Sequence, residues 1–206
     1  MSKYHKYVFD LKKRRLVGDF ERMYKNEERE GFDSWQQEDS RQLGRRISFA
    51  LIQDYNFSKV ADLGCGKGAL THLLKRENNK VFAADISKTA VAVARARFPD
   101  IVFSQCDMNK AASVDEFYSF TGRVNLTFCS ETLYYLKSWK TLLAAIAKHS
   151  DYALLRVHTP PRPIGFIKSE KVFLQEVSKC FDIVEAVSLH RLNSTVVLAK
   201  SKYGLS

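Results

Sequence analysis

No stretch of this 206-residue chain is apolar for long enough to cross a bilayer, and the charged Met1–Asp10 segment has no apolar centre. Neither a membrane span nor a secretory signal is expected, and a cytoplasmic protein is. The four cysteines (Cys65, Cys106, Cys129, Cys180) form no CxxC pair and are too dispersed for a disulfide scaffold, so they read as reduced core or pocket thiols. No metal site is expected. Internal repeats, low-complexity tracts and Pro- or Gly-rich linkers are also missing, which leaves a single globular unit with a helical cap segment over 1–40 and the main domain over 41–206. Two sequons, at Asn125 and Asn193, fall in expected strands and read as chance matches.

Basic residues outnumber acidic ones, 33 Lys+Arg to 23 Asp+Glu, for a net charge of +10. That balance suits an anionic partner: a nucleic acid, a phosphorylated or nucleotide-linked substrate, or a membrane surface. The densest cluster, Lys12–Arg15, is diluted by Asp19, Glu21, Glu27, Glu28 and Glu30, and reads as a solvated helix face.

The informative stretch is Val60-Ala61-Asp62-Leu63-Gly64-Cys65-Gly66-Lys67-Gly68, a buried strand entering a turn from which side chains have been removed. Glycine there allows positive φ and close approach to the backbone, and a helical pattern starts at Ala69. Strand, glycine turn and helix N-terminus together suit a nucleotide.

Beyond it, β-rich runs at 59–63, 80–85, 101–106, 123–129, 151–158, 181–188 and 195–200 alternate with helical patterns near 69–77, 87–97, 138–149 and 169–179. This predicts an α/β fold: a Rossmann-like, seven-stranded, mostly parallel sheet with helices on both faces. The turn around Arg191–Asn193 is too short for a parallel crossover, so the last two strands form a terminal antiparallel hairpin. Before residue 59 no strand is expected. Residues 38–55 suit a helix packed through Leu43, Ile47, Ala50 and Leu51. Between Tyr24 and Asp39, aromatic residues around Gly31 suit either a mobile lid over a ligand or a surface anchor.

Strand ends supply the chemistry. Asp85 ends the second strand, 23 residues beyond Asp62, at the spacing of a ribose-binding carboxylate. The third strand ends in Cys106-Asp107-Met108, and the fourth runs into Ser130-Glu131-Thr132-Leu133-Tyr134-Tyr135-Leu136, at the carboxyl edge where open α/β sheets bind ligands.

Through these motifs, residues 43–200 resemble the class I S-adenosylmethionine-dependent methyltransferases. The resemblance implies S-adenosylmethionine as cofactor. It implies a glycine turn (Gly64, Gly66, Gly68) under the methionine portion, Asp85 on the ribose, and Asp107 with the Met108 backbone on the adenine. Asp62, Cys65, Ile86 and Ser130 complete the expected cofactor set. Glu131–Leu136 is similar to the E-V-L-Y-Y-L stretch of nodulation-type N-methyltransferases acting on chitin-derived glycans. His149-Ser150-Asp151 departs from the family's usual Pro-Gly-Gly turn.

The implied reaction moves a methyl group to an oxygen or nitrogen of a small-molecule or saccharide acceptor, which the basic charge allows to be anionic or nucleotide-linked. His158, after the fifth strand, is the candidate base, with a loop-carbonyl bond as its alternative reading; Glu131 is the rival base or an orienting group. Tyr24, Trp35, Tyr134, Tyr135 and Arg156 are candidate acceptor-binding residues. An RNA methyltransferase is disfavoured because the Pro-Pro-aromatic turn of base amino methylation is missing after strand four, while ribose methylation and a non-catalytic cofactor-binding role stay open. Neither the acceptor nor the oligomeric state is legible.

Overall fold

A computed structural model describes residues 5–39 and 41–204; Met1–Tyr4 and the expected cap boundary at residue 40 lie outside them. Its main sheet is built from β3 (Lys59–Leu63), β4 (Lys80–Asp85), β5 (Val102–Gln105), β6 (Val124–Ser130), β7 (Ser150–His158), β8 (Phe181–Leu189) and β9 (Ser194–Ser201). Their order across the sheet is β5-β4-β3-β6-β7-β9-β8. The first five are parallel. β9 is antiparallel to both neighbours, so the terminal hairpin folds back and places the last strand inside the sheet, with β8 at the edge.

Strand order reverses between β3 and β4 on one side and β3 and β6 on the other. That crevice lies at the carboxyl ends of β3, β4 and β6, where the glycine turn and Asp85 are.

Two cores sandwich the sheet. On one face α5 (Ala111–Thr121), α6 (Trp139–His149) and α7 (Glu170–Cys180) pack over Leu155 and Val157; on the other, α3 (Ala69–Leu74) and α4 (Lys88–Arg97) pack over Val60 and Leu126. β3 is buried on both faces, which is why Val60–Leu63 alternates so little in polarity. The chain has no helix long and apolar enough to cross a membrane among the described residues.

The structure differs from expectation in four respects, three of them in the N-terminal region. A two-stranded hairpin, β1 (Phe9–Asp10) with β2 (Arg15–Leu16), stands where no strand was predicted, and Lys12–Arg15 occupies its turn and second strand instead of a helix face. α1 (Phe20–Glu30) lies in the segment expected to be helical, though no bounds were read for it; Asp19 caps it by accepting from Arg22 N–H at 3.1 Å, and Gly31 ends it at φ +62°. α2 is shorter than predicted, Leu43–Ala50, and its inward face is only partly the expected one: Ile47 and Leu51 pack on the core, but Gly44, Arg45 and Ser48 are buried while Ala50 is exposed and Leu43 is 51% exposed. Finally, α5 was overlooked although Val114, Phe117, Tyr118 and Thr121 follow helical spacing and are all buried.

The Tyr24–Asp39 segment is fastened to the sheet domain. Glu21 accepts from Ser87 Oγ (2.7 Å) and from Thr89 N–H (3.2 Å) and Oγ1 (2.9 Å), joining α1 to the start of α4. Arg97 pairs with Glu38 at 2.6 Å, and buried Lys67 pairs with fully buried Glu27 at 3.2 Å. Arg45 donates to the carbonyls of Trp35, Gln36 and Asp39.

Candidate functional site

A single cavity of about 1280 Å³ opens along the carboxyl edge of the sheet and runs beneath the N-terminal region. One end is the glycine turn. Gly64, Gly66 and Gly68 all have positive φ (+85°, +54°, +82°), so the turn requires glycine on backbone grounds alone. What comes close to it is the chain itself. A Cβ at Gly64 would overlap Thr132, one at Gly66 would meet Gln37 and Tyr24 Oη, and one at Gly68 would lie 2.9 Å from Phe103. Gly64 and Cys65 line the cavity; Gly66 and Gly68 are covered.

The turn's N–H groups are likewise engaged internally. Gly64 and Cys65 donate to Ala84 carbonyl (2.8 and 3.1 Å), Gly66 to Asp85 Oδ2 (2.9 Å), Lys67 to Gln37 Oε1 (3.0 Å) and Gly68 to Cys65 carbonyl (3.0 Å). These amides hold the turn's shape.

Two buried carboxylates line this end. Asp85 receives Gly66 N–H on one oxygen and Ser87 N–H on the other (both 2.9 Å), leaving each oxygen further acceptor capacity. Burial raises its carboxyl, against those two donors. Asp62, on the doubly buried β3, accepts from Thr71 Oγ1 at 2.6 Å, and burial raises it to about 7. Ile86 and Met108 complete this wall, whereas Asp107 does not line it. Its carboxylate accepts from Asn109 N–H (3.1 Å) and pairs with Lys110 (3.3 Å). Burial raises the thiols of Cys65, Cys106, Cys129 and Cys180, which makes them poor nucleophiles.

The other end is formed by β6, β7 and the hairpin turn. Glu131 sits in the left-handed region at φ +58°, rare for a residue with a Cβ, with its N–H bonded to Arg156 carbonyl at 2.7 Å. That conformation turns its carboxylate toward three donors: Tyr134 Oη (2.9 Å), Ser194 Oγ (3.3 Å) and Arg156 Nε (3.3 Å). Arg156 Nε also donates to Ser130 Oγ at 2.9 Å. Tyr135 Oη is 3.1 Å from Tyr134 Oη, and burial raises both phenols.

His158 lies two residues from Arg156 on β7 and lines the same cavity. Its Nδ1 is 3.1 Å from Leu192 carbonyl, which can only accept; Nδ1 therefore carries the hydrogen, and Nε2 of the neutral ring keeps its lone pair. Trp35 and Tyr24 reach the cavity from above; Trp35 and Phe20 lie 6.2 and 5.1 Å, centroid to centroid, from Tyr135.

Three cavity contributors escaped the sequence reading. Gln37 and Thr132 fill the space over the turn, and Gly44 makes room beside Arg156; Thr132 lies within the Ser130–Leu136 stretch but was given no role there, while Gln37 and Gly44 belong to no motif.

A methyltransferase-domain family profile matches residues 60–151. Among solved structures, magnesium protoporphyrin IX methyltransferase from Synechocystis PCC 6803 with bound S-adenosylhomocysteine superposes at TM-score 0.67, with 18% identity over 89% of this chain and 96% of that one. The N-methyltransferase NodS from Bradyrhizobium japonicum WM9, also with S-adenosylhomocysteine, gives 0.67 at 17% identity over 87% and 98%. This is a class I S-adenosylmethionine-dependent methyltransferase fold. A methyltransferase from the Haloferax volcanii complex with the Trm112 activator gives 0.69 at 14% identity over 89% and 97%. No curated protein gives a significant match. The cofactor of this methyltransferase fold is S-adenosylmethionine, and the end of the cavity with two buried carboxylates beside Gly64 and Cys65 fits a ligand rich in hydroxyl and amine donors.

Proposed function

We propose that this protein transfers a methyl group from S-adenosylmethionine to an oxygen or nitrogen atom of a small-molecule or saccharide acceptor. The observation that supports it best is the continuity of the cavity, which joins the Asp62–Asp85 wall to Glu131 and His158 without leaving the carboxyl edge of the sheet. In this reading Asp85 accepts hydrogen bonds from the ribose hydroxyls, and Met108 borders the adenine. The Asp107 side chain, engaged by Asn109 and Lys110, supports that wall from outside it. Gly64, Cys65, Ile86 and Ser130 form the surrounding surface, while Gly66 and Gly68 act by shaping the turn.

When bound, the cofactor supplies a sulfonium methyl open to in-line attack. The chain's own contribution is position and proton management. Leu192 carbonyl fixes the His158 tautomer, so Nε2 takes the acceptor's proton. Glu131, held by three donors, orients the acceptor in place of accepting a proton, and Tyr134 and Tyr135 extend that bonded row into the cavity wall. Residues 1–40 serve as a cap that excludes water from the Trp35 side.

The test is a transfer assay with labelled cofactor over small alcohols, amines, saccharides and RNA, run on the wild type and His158→Ala. Labelling of small molecules, with turnover about 10²-fold lower in the variant and unchanged cofactor affinity, supports the reading. Equal turnover of the two proteins across a pH series removes His158 as the base, and exclusive labelling of RNA rejects the acceptor class.

A further inference from the structure

Arg156 is 6% exposed, lines the cavity and uses only Nε in the bonds described, to Ser130 Oγ and Glu131. Its Nη1 and Nη2 have no hydrogen-bond partner among the described residues. Neither nitrogen is sealed inside the protein, so the outer edge of this largely buried guanidinium faces the cavity. Gly44, the second residue of α2, is buried against it. A Cβ at that position would lie 2.7 Å from Arg156 Nη1 and 3.4 Å from its Cδ. Gly44 thus clears the space the guanidinium occupies.

Other cations stand near it, with Asp33, Asp39 and Glu131 offsetting Arg45 in part. Arg45, buried and electrostatically coupled to Arg156, keeps an unpartnered Nε, and Arg191 lines the same part of the cavity. Glu131 is the carboxylate in contact with this group, since Asp62 and Asp85 belong to the opposite end. The wall beside these cations is aromatic, from Trp35, Phe20 and Tyr135.

We infer that the acceptor is a small apolar or aromatic molecule carrying an oxyanion, a carboxylate or a phosphate, which the outer edge of Arg156 binds in fork geometry while its body lies against Trp35 and Tyr135. This deepens the acceptor assignment above and rests on it.

The probes are 2-naphthoate, 2-naphthyl phosphate and the neutral 2-naphthamide, titrated by calorimetry into protein saturated with S-adenosylhomocysteine. One or both anions should bind about tenfold more tightly than the amide, and the better of the two identifies the oxyanion. Arg156→Gln should level the three affinities. Gly44→Ala, which retains the Arg156–Glu131 pair but displaces Nη1, should do the same and serves if Arg156→Gln fails to fold. Equal or unmeasurable affinities in the wild type, or an anion preference that survives the folded variants, overturn the inference. Failure of S-adenosylhomocysteine itself to bind would instead reject the methyltransferase reading.

Discussion

At the glycine-turn end of the cavity, every N–H from Gly64 to Gly68 has a partner within the chain and two carboxylates are buried. At the opposite end a buried arginine, bonded through Nε to Ser130 and Glu131, keeps two nitrogens unpaired, and cations and aromatic rings stand beyond that pair. The first end is a finished surface whose remaining capacity is for donors. The second is an unfinished one whose remaining capacity is for acceptors. The two halves of one cavity therefore select ligands of opposite character, and a variant at one end should leave the other's ligand undisturbed.

The largest expected effect lies at the turn. Asp85→Ala removes the ribose acceptor and frees the Gly66 and Ser87 amides, so S-adenosylmethionine affinity should fall at least about tenfold by calorimetry, from bonds of about 1.5–3 kcal/mol each. Arg156→Gln should leave that affinity within about twofold, because its contacts are all at the other end. A comparable loss in both variants would erase the distinction between the halves.

A smaller effect concerns Asp62. Folding raises its carboxyl from 3.8 to about 7, so the unfolded chain ionises first. Stability is consequently lost as pH rises from about 4 to 7, and the loss is complete above that. Asp62→Asn should raise the thermal midpoint at pH 8 and leave it unchanged near pH 4. A variant less stable at pH 8 would show instead that the charged form is needed.

The smallest effect probes the cap. Burial alone would raise the Glu21 carboxyl, but the donors from Ser87 and Thr89 outweigh it and hold it at about 2. This tie is present above the ordinary value of 4.5 and is lost as pH falls toward 2. Glu21→Ala should speed amide exchange in residues 20–39 about tenfold at pH 7 while the central strands keep their protection. Unchanged exchange would place the fastening at Glu27–Lys67 and Arg45 instead.

Alternating patterns and strand-end acids made the sheet, its terminal hairpin and the Asp62–Asp85 wall legible in the sequence, because parallel strands are short, apolar and punctuated by turns. Local periodicity failed where packing was unusual. α2 turns Gly44 and Arg45 inward, and the bounds of α1 within the expected helical segment were blurred by a polar composition whose buried residues are Met23, Tyr24 and Glu27. The lid-or-anchor choice for Tyr24–Asp39 depended on partners far along the chain, among them Lys67, Ser87 and Arg97.

The sequence by itself determined the succession of the seven strands of the main sheet and the requirement for glycine at the turn, since both follow from backbone preference and burial of neighbouring residues. Which groups remain unsatisfied was decided by the tertiary structure alone. The turn's amides are consumed by Ala84, Asp85 and Gln37, and the guanidinium of Arg156 is left open beside Gly44; hydrogen-bond capacity is a balance struck between distant residues, and no local pattern records it.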